Sequence, residues 1–175
     1  LRRFKDLAFG DVDVAIKWPN DLYGQQKKLG GVLCNSSWVM ETRTFTTVIG
    51  IGVNVGNRTP TTCVHELQEQ AIGVENISYI SKEELLARIL FCYECFEDKF
   101  MSSGFQALED QYTSYWLHSN QKVTLEEEGP SGKSRIPMTI RGLTPSGYLL
   151  ATDENGSSYE LHPDGNSLDF FKGLV

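Results

Sequence analysis

Several features that would assign a chain to a special class are scarce in this sequence. It has only four cysteines in 175 residues, too few for the dense disulfide framework of a small secreted domain. The cysteine content therefore favours a reducing, cytosol-like compartment. Basic residues are also few, because 16 Lys and Arg stand against 23 Asp and Glu and the formal net charge is −7. A negative charge argues against binding to a nucleic-acid backbone.

Long apolar runs, internal repeats and low-complexity segments are absent from the sequence as well. The longest charge-free apolar stretch, residues 45–55, is about half of the roughly 20 residues that a membrane helix needs. No apolar signal-peptide core follows the basic N-terminus, and the first residue is Leu1 rather than Met. We therefore expect no membrane association, and a chain that is truncated or processed upstream of Leu1.

Enough apolar material is present for a packed core, since 40% of the residues are hydrophobic. A chain of this length buries roughly 70% of its extended surface, so one core and a small second domain are expected. The pattern changes from mixed strands and helices to short strands near residue 118. We predict an α+β fold with one domain at residues 1–118 and a second at residues 119–175.

The first domain begins with strand patterns. Three strands are predicted, with a polar connection at 24–28 before the second strand: residues 12–17, 29–35 and 45–55. The first strand must end at Pro19, which cannot donate a hydrogen bond to a sheet. Asn20 and Asp21 then have side chains that favour a turn.

A long helix is predicted from Lys82 to about Met101. Ser81 can cap it, and Glu84 completes a capping box. An apolar stripe follows at steps of three and four residues: Leu85, Ile89, Cys92, Phe96 and Phe100. A shorter amphipathic helix is predicted within residues 105–116.

Short strands separated by turn residues predict a small antiparallel barrel in the second domain. Its five strands are expected at residues 121–126, 136–143, 148–152, 157–161 and 167–171. Residues 129–134 end like a phosphate-binding loop, but they lack its first glycine and join two predicted strands. An ordinary turn explains them better.

Other motifs that resemble chemical sites have simpler explanations. Residues 50–56 resemble a dinucleotide fingerprint, but Val55 occupies the third glycine position. No helix is expected to open at residues 58–60, where its N-terminus would meet a pyrophosphate. Cys92 and Cys95 have metal-like spacing, but they lie within the predicted helix at or near its core stripe and have no second ligand pair. The histidines have neither a nucleophile nor metal spacing around them and are expected on the surface or in turns: His65, His118 and His162.

One constellation remains, and its parts are informative only together. Residues 17–21 read Lys-Trp-Pro-Asn-Asp, residues 28–33 read Lys-Leu-Gly-Gly-Val-Leu, and residues 50–54 read Gly-Ile-Gly-Val-Asn. In this order they resemble the catalytic core of the biotin protein ligases, also called holocarboxylase synthetases. The resemblance continues through the helical and barrel regions and so covers nearly the whole chain.

The resemblance implies an enzyme with a mixed, class II synthetase-like sheet flanked by helices, truncated at the N-terminus, and a C-terminal SH3-like barrel. Such ligases join biotin to ATP, giving biotinyl-5′-adenylate and pyrophosphate, and then transfer biotin to a lysine. The implied cofactors and substrates are ATP, biotin and Mg²⁺, and the implied partners are biotin carboxyl carrier domains of carboxylases. The expected location is the cytoplasm, or an organelle if a targeting segment precedes this chain. The family's Gly-Arg-rich loop does not occur in this sequence and is expected upstream of Leu1.

The resemblance also implies individual site residues. Lys28 matches the family's central lysine, a catalytic cation that meets both the biotin carboxylate and the α-phosphate. The implied biotin-binding residues are Lys28, Gly31, Leu33, Gly50 and Gly52. The implied ATP-binding residues are Lys17, Trp18, Asn20, Asp21 and Asn54. Asp21 and Asn54 offer oxygens for Mg²⁺, whereas packing in the core is an open alternative for Trp18.

Two other functions are considered. A lipoate ligase shares the fold and the adenylate chemistry, although the motif at 17–21 and the terminal barrel favour biotin. A non-catalytic binding module would keep half of a ligand pocket and use the barrel for contact with another protein. Biotin-dependent release of pyrophosphate separates an enzyme from such a module.

Overall fold

The computed structural model describes residues 4–6, 10–75, 77–129 and 132–163. The chain separates into two compact units, Leu1–Trp116 and Leu117–Val175. The described residues form antiparallel sheets and α-helices. The α+β fold class is therefore confirmed.

The first unit is built on a four-stranded antiparallel sheet of order β3-β4-β5-β6, in which each strand pairs with the next one along the chain. A separate two-stranded sheet precedes it. The strands of this unit are β1 Phe4–Asp6, β2 Gly10–Val12, β3 Val14–Lys17, β4 Asp21–Gly24, β5 Lys27–Val39 and β6 Thr44–Val53. A tight turn at Gln25 and Gln26 joins β4 to β5, and both residues have positive φ, 50° and 66°, as a two-residue hairpin turn requires.

Two details of the predicted strands are wrong. The polar connection predicted at 24–28 is much shorter, because Lys27 and Lys28 already belong to β5. Asp21, which the sequence places in a turn, is the first residue of β4. The physical reason is that β4, a strand of four residues, is hydrogen-bonded to β3 on one side and to β5 on the other. This pairing holds Asp21 in an extended conformation, although its side chain favours a turn.

The helices follow the sheet. They are α1 Val64–Ile72, α2 Lys82–Ser103 and α3 Glu109–Tyr115, with a short 3-10 helix at Phe105–Ala107 before α3. The predicted cap of α2 is confirmed, because Glu84 N–H donates to Ser81 Oγ at 3.0 Å. The sequence analysis missed α1, whose N-cap residue Cys63 makes no side-chain cap hydrogen bond and so provides no start signal. No helix within the described ranges is long and apolar enough to cross a membrane.

The core of the first unit lies between one face of the four-stranded sheet and α1. Its buried cluster consists of Val12, Leu29, Val64, Leu67 and Ile80. Helix α1 approaches β4 so closely that a Cβ built on Gly24 would lie 2.6 Å from Leu67 Cδ1. By contrast, no residue of α2 is buried. The placement of Cys92 and Cys95 at a core stripe is therefore wrong, since both are exposed.

The second unit contains a four-stranded antiparallel sheet of order β10-β9-β8-β7. Its strands are β7 Lys122–Gly129, β8 Gly132–Leu143, β9 Leu149–Asp153 and β10 Ser158–Leu161. They correspond to four of the five predicted strands, and the fifth, at 167–171, lies outside the described residues. In the described part of the chain β7 and β10 are the edges of this sheet, so the closed SH3-like barrel stays a prediction.

Two further predictions concern the second unit. Residues 129 and 132 end one strand and begin the next, so the segment at 129–134 joins two strands as predicted. The expected surface position of His118 is wrong, because this residue is fully buried. Its Nδ1 lies 2.7 Å from Oε1 of Gln121, a partner that satisfies a buried imidazole.

Candidate functional site

Most of the residues implied by the resemblance meet on the face of the four-stranded sheet that is opposite to α1. Lys17, Asp21, Gly31 and Gly52 lie directly opposite one another on β3, β4, β5 and β6. Directly paired residues point to the same face of a sheet. We call this surface the open face; it is formed by Lys17, Asp21, Tyr23, Lys28, Gly31, Leu33, Gly50 and Gly52.

A β-bulge brings Lys28 to the open face. Lys28 and Gly31 are three residues apart, so a regular strand would point them to opposite faces. The register between β4 and β5 shifts between them: Tyr23 pairs with Lys28, whereas Asp21 pairs with Gly31. The extra residue is Leu29, which is only 4% exposed and belongs to the core. Both Lys28 and Gly31 therefore face the same side as Asp21.

Lys28 forms an ion pair with Asp21 at the centre of the open face. The distance from Nζ to Oδ1 is 2.6 Å, and the two side chains are 48% and 22% exposed. A pair this exposed contributes about 0–1 kcal/mol to stability. Its main effect is therefore to hold the ammonium group in one place.

Tyr23 and Lys17 complete the charged part of the open face. Burial, followed by the carboxylate of Asp21, raises the pKa of Tyr23, while the ammonium of Lys28 opposes this. The phenol is therefore neutral at physiological pH. Lys17 Nζ lies 5.8 Å from the centroid of the Tyr23 ring. Two ammonium groups thus lie near one carboxylate, an arrangement suited to an anionic ligand such as a carboxylate or a phosphate.

The glycines leave space beside Lys28. A Cβ built on Gly52 would meet nothing within 4 Å, and one built on Gly50 would make only an ordinary contact, 3.6 Å from the Leu33 carbonyl oxygen. Packing within the described residues therefore does not require glycine at either position. Leu33 is 71% exposed and offers an apolar surface next to this space. Gly31 differs, because a Cβ there would lie 3.1 Å from Asp21 Oδ1, the oxygen that holds Lys28.

The turn between β3 and β4 carries two of the implied ATP-binding residues. Asn20 is exposed, and its carbonyl accepts a hydrogen bond from Val32 N–H at 2.8 Å. A groove of about 530 Å³ beside this turn is lined by Asn20, Asp21 and Leu33, a size within the roughly 300–1,000 Å³ of small-molecule sites. Other lining residues belong to the opposite face of the sheet, among them Ile16, Leu22 and Val32. Trp18 is only 7% exposed. It can offer little surface to a nucleotide, which favours the packing alternative.

Asn54 follows the last residue of β6 and begins the loop at 54–63. Its side-chain Nδ2 donates to Thr61 Oγ1 at 2.7 Å, and its Oδ1 accepts from Asn57 Nδ2 at 2.9 Å. Both ends of the amide are thus used to hold the loop. This engagement weakens the expectation that Asn54 contacts a ligand directly.

The donor set for Mg²⁺ is small. Oδ1 of Asp21 is already paired with Lys28, and Oδ1 of Asn54 accepts from Asn57. The described residues contain no group of three or more His, Cys, Asp or Glu side chains that could hold a metal ion. Mg²⁺ often takes only one or two carboxylates and is otherwise bound by water and substrate phosphates. Among the open-face residues, Asp21 is the carboxylate available to a Mg²⁺ ion that arrives with a nucleotide.

The sequence analysis missed two features of this region. The first is Tyr23. Asp21 and Tyr23 are two residues apart on β4, and residues with that spacing share one face of a strand. The sequence analysis did not predict β4 and so did not find Tyr23. The second is a cluster of Arg58, Glu69 and Tyr79, in which the guanidinium donates to both oxygens of Glu69 at 2.8 and 2.5 Å. The Tyr79 hydroxyl also donates to Glu69. No spacing rule connects these three residues, so the sequence contains no signal for them.

The chain is similar in sequence to known biotin–protein ligases. The profile of the biotin/lipoate A/B protein ligase family matches residues 3–54, which carry strands β1 to β6. The chain is 47% identical over 171 residues to Biotin–protein ligase 2 of Arabidopsis thaliana, covering 98% of this chain and 50% of that protein. It is 45% identical over 164 residues to Biotin–protein ligase 1, chloroplastic, of the same plant, covering 94% and 44%. The chain thus spans about half the length of these relatives.

Solved structures share the fold. The apo structure of the biotin protein ligase from Aquifex aeolicus superposes with a TM-score of 0.62 at 24% identity, covering 85% of this chain and 62% of that one. The complex of the same ligase with biotin and ATP gives a TM-score of 0.60 at 25% identity, covering 85% and 58%. Profile, sequence relatives and fold thus point to one kind of protein: residues 3–54 match the biotin/lipoate A/B protein ligase family, and nearly the whole chain is similar to part of two plant biotin–protein ligases.

Proposed function

We propose that this chain is part of an ATP-dependent biotin–protein ligase, which forms biotinyl-5′-adenylate and transfers biotin to a lysine of a biotin carboxyl carrier domain. The observation that carries the proposal is the Lys28–Asp21 ion pair at 2.6 Å, which the bulge in β5 places beside a glycine-lined surface. The choice of biotin is supported by relatives that are 45–47% identical and named as biotin–protein ligases.

The open face can bind both parts of biotin. Its ring system would lie against Leu33 and the surface left free by Gly50 and Gly52, and its carboxylate would point towards Lys28. This assignment combines an apolar surface for the apolar part of the ligand with a cation for the anionic part. Leu33 is 71% exposed and shares the open face with Lys28, Gly50 and Gly52, so groups suited to the two parts of biotin lie on one surface.

The first chemical step places negative charge next to Lys28. A carboxylate oxygen of biotin attacks the α-phosphorus of ATP, the new O–P bond forms, and the bond to pyrophosphate breaks. A unit charge at 4 Å is worth about 4 kcal/mol at an effective dielectric constant of 20. In the second step the acceptor amine attacks the acyl carbon, loses a proton and releases AMP. The ammonium of Lys28 stabilises the phosphate charge that forms in both steps.

The nucleotide would occupy the other side of the ion pair. Asn20 lines the groove beside the β3–β4 turn, and Lys17 pairs with Asp21 on the open face. Both are proposed to contact the phosphates. When bound, Mg²⁺ would neutralise phosphate charge, and Asp21 is the carboxylate proposed to hold it while it also positions Lys28. We assign Asn54 an indirect role through the loop at 54–63, and Trp18 a packing role.

The remaining assignments concern the whole protein. We propose that residues 1–118 bind biotin and ATP and that residues 119–175 are an SH3-like auxiliary domain that assists with ATP or the carrier. The division between compact units after Trp116 supports this boundary. The proposed location is the cytoplasm, and an organelle is the second candidate because one relative is named chloroplastic.

A ligand test separates the candidate functions. In the longest natural polypeptide that contains these 175 residues, here called the full-length protein, biotin with ATP should raise the melting temperature and release pyrophosphate. A free ligand concentration of 100 times the dissociation constant stabilises the folded protein by about 2.7 kcal/mol. Lipoate with ATP is the matched control and should do neither. Stabilisation by lipoate alone would instead support a lipoate ligase, and no release with either ligand would support a non-catalytic module.

A further inference from the structure

The loop at 54–63 contacts the backbone of β5 at the bulge. Asn54 N–H donates to the carbonyl oxygen of Leu29 at 2.9 Å, and Thr62 N–H donates to the carbonyl oxygen of Lys28 at 3.2 Å. The two ends of the loop thus bind the two consecutive residues whose conformation directs Lys28 to the open face. Any movement of this loop would change the backbone from which the ammonium group extends.

The middle of the loop is attached to α1 by an ionic contact. Arg58 donates to both carboxylate oxygens of Glu69, and the hydroxyl of Tyr79 donates to the same carboxylate. These donors lower the pKa of Glu69 to about 2, so the carboxylate is ionised at any physiological pH. We call Arg58, Glu69 and Tyr79 the Arg58 clamp.

A second set of contacts attaches the clamp to the core. The ring of His65, on α1, packs against Tyr79 with centroids 4.6 Å apart, and its Nε2 lies 3.0 Å from the carbonyl oxygen of Ile80. Ile80 is a buried core residue. The clamp therefore connects the exposed middle of the loop to the buried core of the first unit.

We propose that the Arg58 clamp is a positioning device for Lys28. Arg58 acts through the loop and the bulge backbone, and it contacts no substrate. The inference rests on the proposed function, in which the ammonium of Lys28 meets the α-phosphate. It follows from the contacts, because the loop that holds the bulge backbone is joined to α1 through Arg58 and Glu69, whose side chains are 51% and 15% exposed.

The test uses variants that loosen the clamp without removing large side chains. Arg58→Lys keeps the charge but loses the two-pronged contact, and Glu69→Gln removes the charge of the acceptor. Arg88→Lys is the matched control, because Arg88 forms a similar exposed pair with Glu84 at 2.8 Å within α2. In the full-length protein we expect Arg58→Lys and Glu69→Gln to lower kcat for adenylation about tenfold, since a displacement of about 1 Å can cost up to 10²-fold. KM for biotin and ATP should change little, and Arg88→Lys should match the unsubstituted protein.

A double-substitution experiment separates positioning from folding. If the clamp acts through Lys28, Arg58→Lys should cause no further loss of rate in a Lys28→Met background. An equal fractional loss in both backgrounds would contradict the inference, as would an unchanged kcat in both clamp variants. If Arg58→Lys does not fold, Glu69→Gln and the exchanged pair Arg58→Glu with Glu69→Arg serve in its place.

A readout without catalysis distinguishes failure of this inference from failure of the proposed function. Amide hydrogen exchange at Asn54 and Thr62 should accelerate in Arg58→Lys and stay unchanged in Arg88→Lys. Unchanged exchange in Arg58→Lys would overturn the inference even if the protein is an active ligase. Faster exchange in a protein that never forms an adenylate would instead overturn the proposed function.

Discussion

Lys27 and Lys28 are neighbours in the sequence but have different surroundings. Lys27 pairs with Gly24 next to the β4–β5 turn, whereas Lys28 pairs with Tyr23 and binds the carboxylate of Asp21. The two lysines therefore differ in what they can bind, because Lys28 lies on the open face and Lys27 does not. This difference provides a controlled test of the catalytic role proposed for Lys28.

Substitution of Lys28 should separate catalysis from stability. Lys28→Met in the full-length protein should lower adenylate formation about 10²–10³-fold, because one preorganised charge at the reacting phosphate is lost. Lys27→Met is the control and should change the rate little. Lys28→Arg should restore activity only in part, since a planar guanidinium does not reproduce the ammonium geometry. Equal adenylation rates in the two Met variants would contradict the role of Lys28.

Substitution by alanine should have different effects at Gly30, which lies on the opposite sheet face, and at Gly52, which lies on the open face. A Cβ on Gly30 would lie 2.2 Å from the Gly52 carbonyl oxygen, whereas one on Gly52 would meet nothing within 4 Å. Gly30→Ala should therefore lower the free energy of unfolding by about 1–3 kcal/mol through overpacking. Gly52→Ala should leave it nearly unchanged but weaken biotin binding, as measured by calorimetry. Unchanged biotin affinity in Gly52→Ala would remove Gly52 from the site.

At the scale of elements, the residues around Ser81 marked the start of α2, but the apolar pattern along α2 did not predict how that helix packs. The capping box of Ser81 and Glu84 correctly marks the start of α2, because it acts within one turn of the chain. The apolar stripe on the same helix did not predict burial, since no residue of α2 is buried. Burial depends on which other surface faces the helix, and no local pattern contains that information.

The contact between the 54–63 loop and α1 should depend on pH. Hydrogen bonds from Arg58 and then from Tyr79 lower the pKa of Glu69 from 4.5 to about 2 in the folded protein. A depressed carboxyl pKa stabilises the folded state above the unfolded pKa, and this contribution is lost as the pH falls towards the folded pKa. The difference in melting temperature between the unsubstituted protein and Glu69→Gln should therefore be constant near neutral pH and shrink between about pH 4.5 and pH 2. A difference that persists at pH 2 would contradict this assignment.

At the scale of the whole molecule, the candidate site and the second sheet belong to separate units. Every proposed site residue, from Lys17 to Asn54, lies in the unit that ends at Trp116. The described part of the second unit contributes β7 to β10, and none of the residues implied for biotin or ATP lies on them. We therefore expect the second unit to assist the reaction rather than catalyse it.

Deletion of residues 120–175 from the full-length protein tests this division of roles. Biotin binding should remain measurable by calorimetry, because Lys28, Gly31 and Leu33 are retained. The truncated protein should bind ATP or the carrier domain more weakly. A rise in KM for ATP or for the carrier domain would show this. A folded truncation that no longer binds biotin would contradict the assignment of these roles.

The sequence by itself determined the fold class, most strands, the cap of α2 and the motif residues of the site, because turns, caps and alternation act over a few residues. It did not determine the bulge at Leu29, which places Lys28 and Gly31 on one face although their spacing predicts opposite faces. Nor did it determine the contact of Arg58 with Glu69, 11 residues away, or the burial of His118. Strand register and packing decide these features, and both depend on residues distant in the sequence. Only the tertiary structure could therefore bring Lys28, its carboxylate partner Asp21 and the loop at 54–63 together.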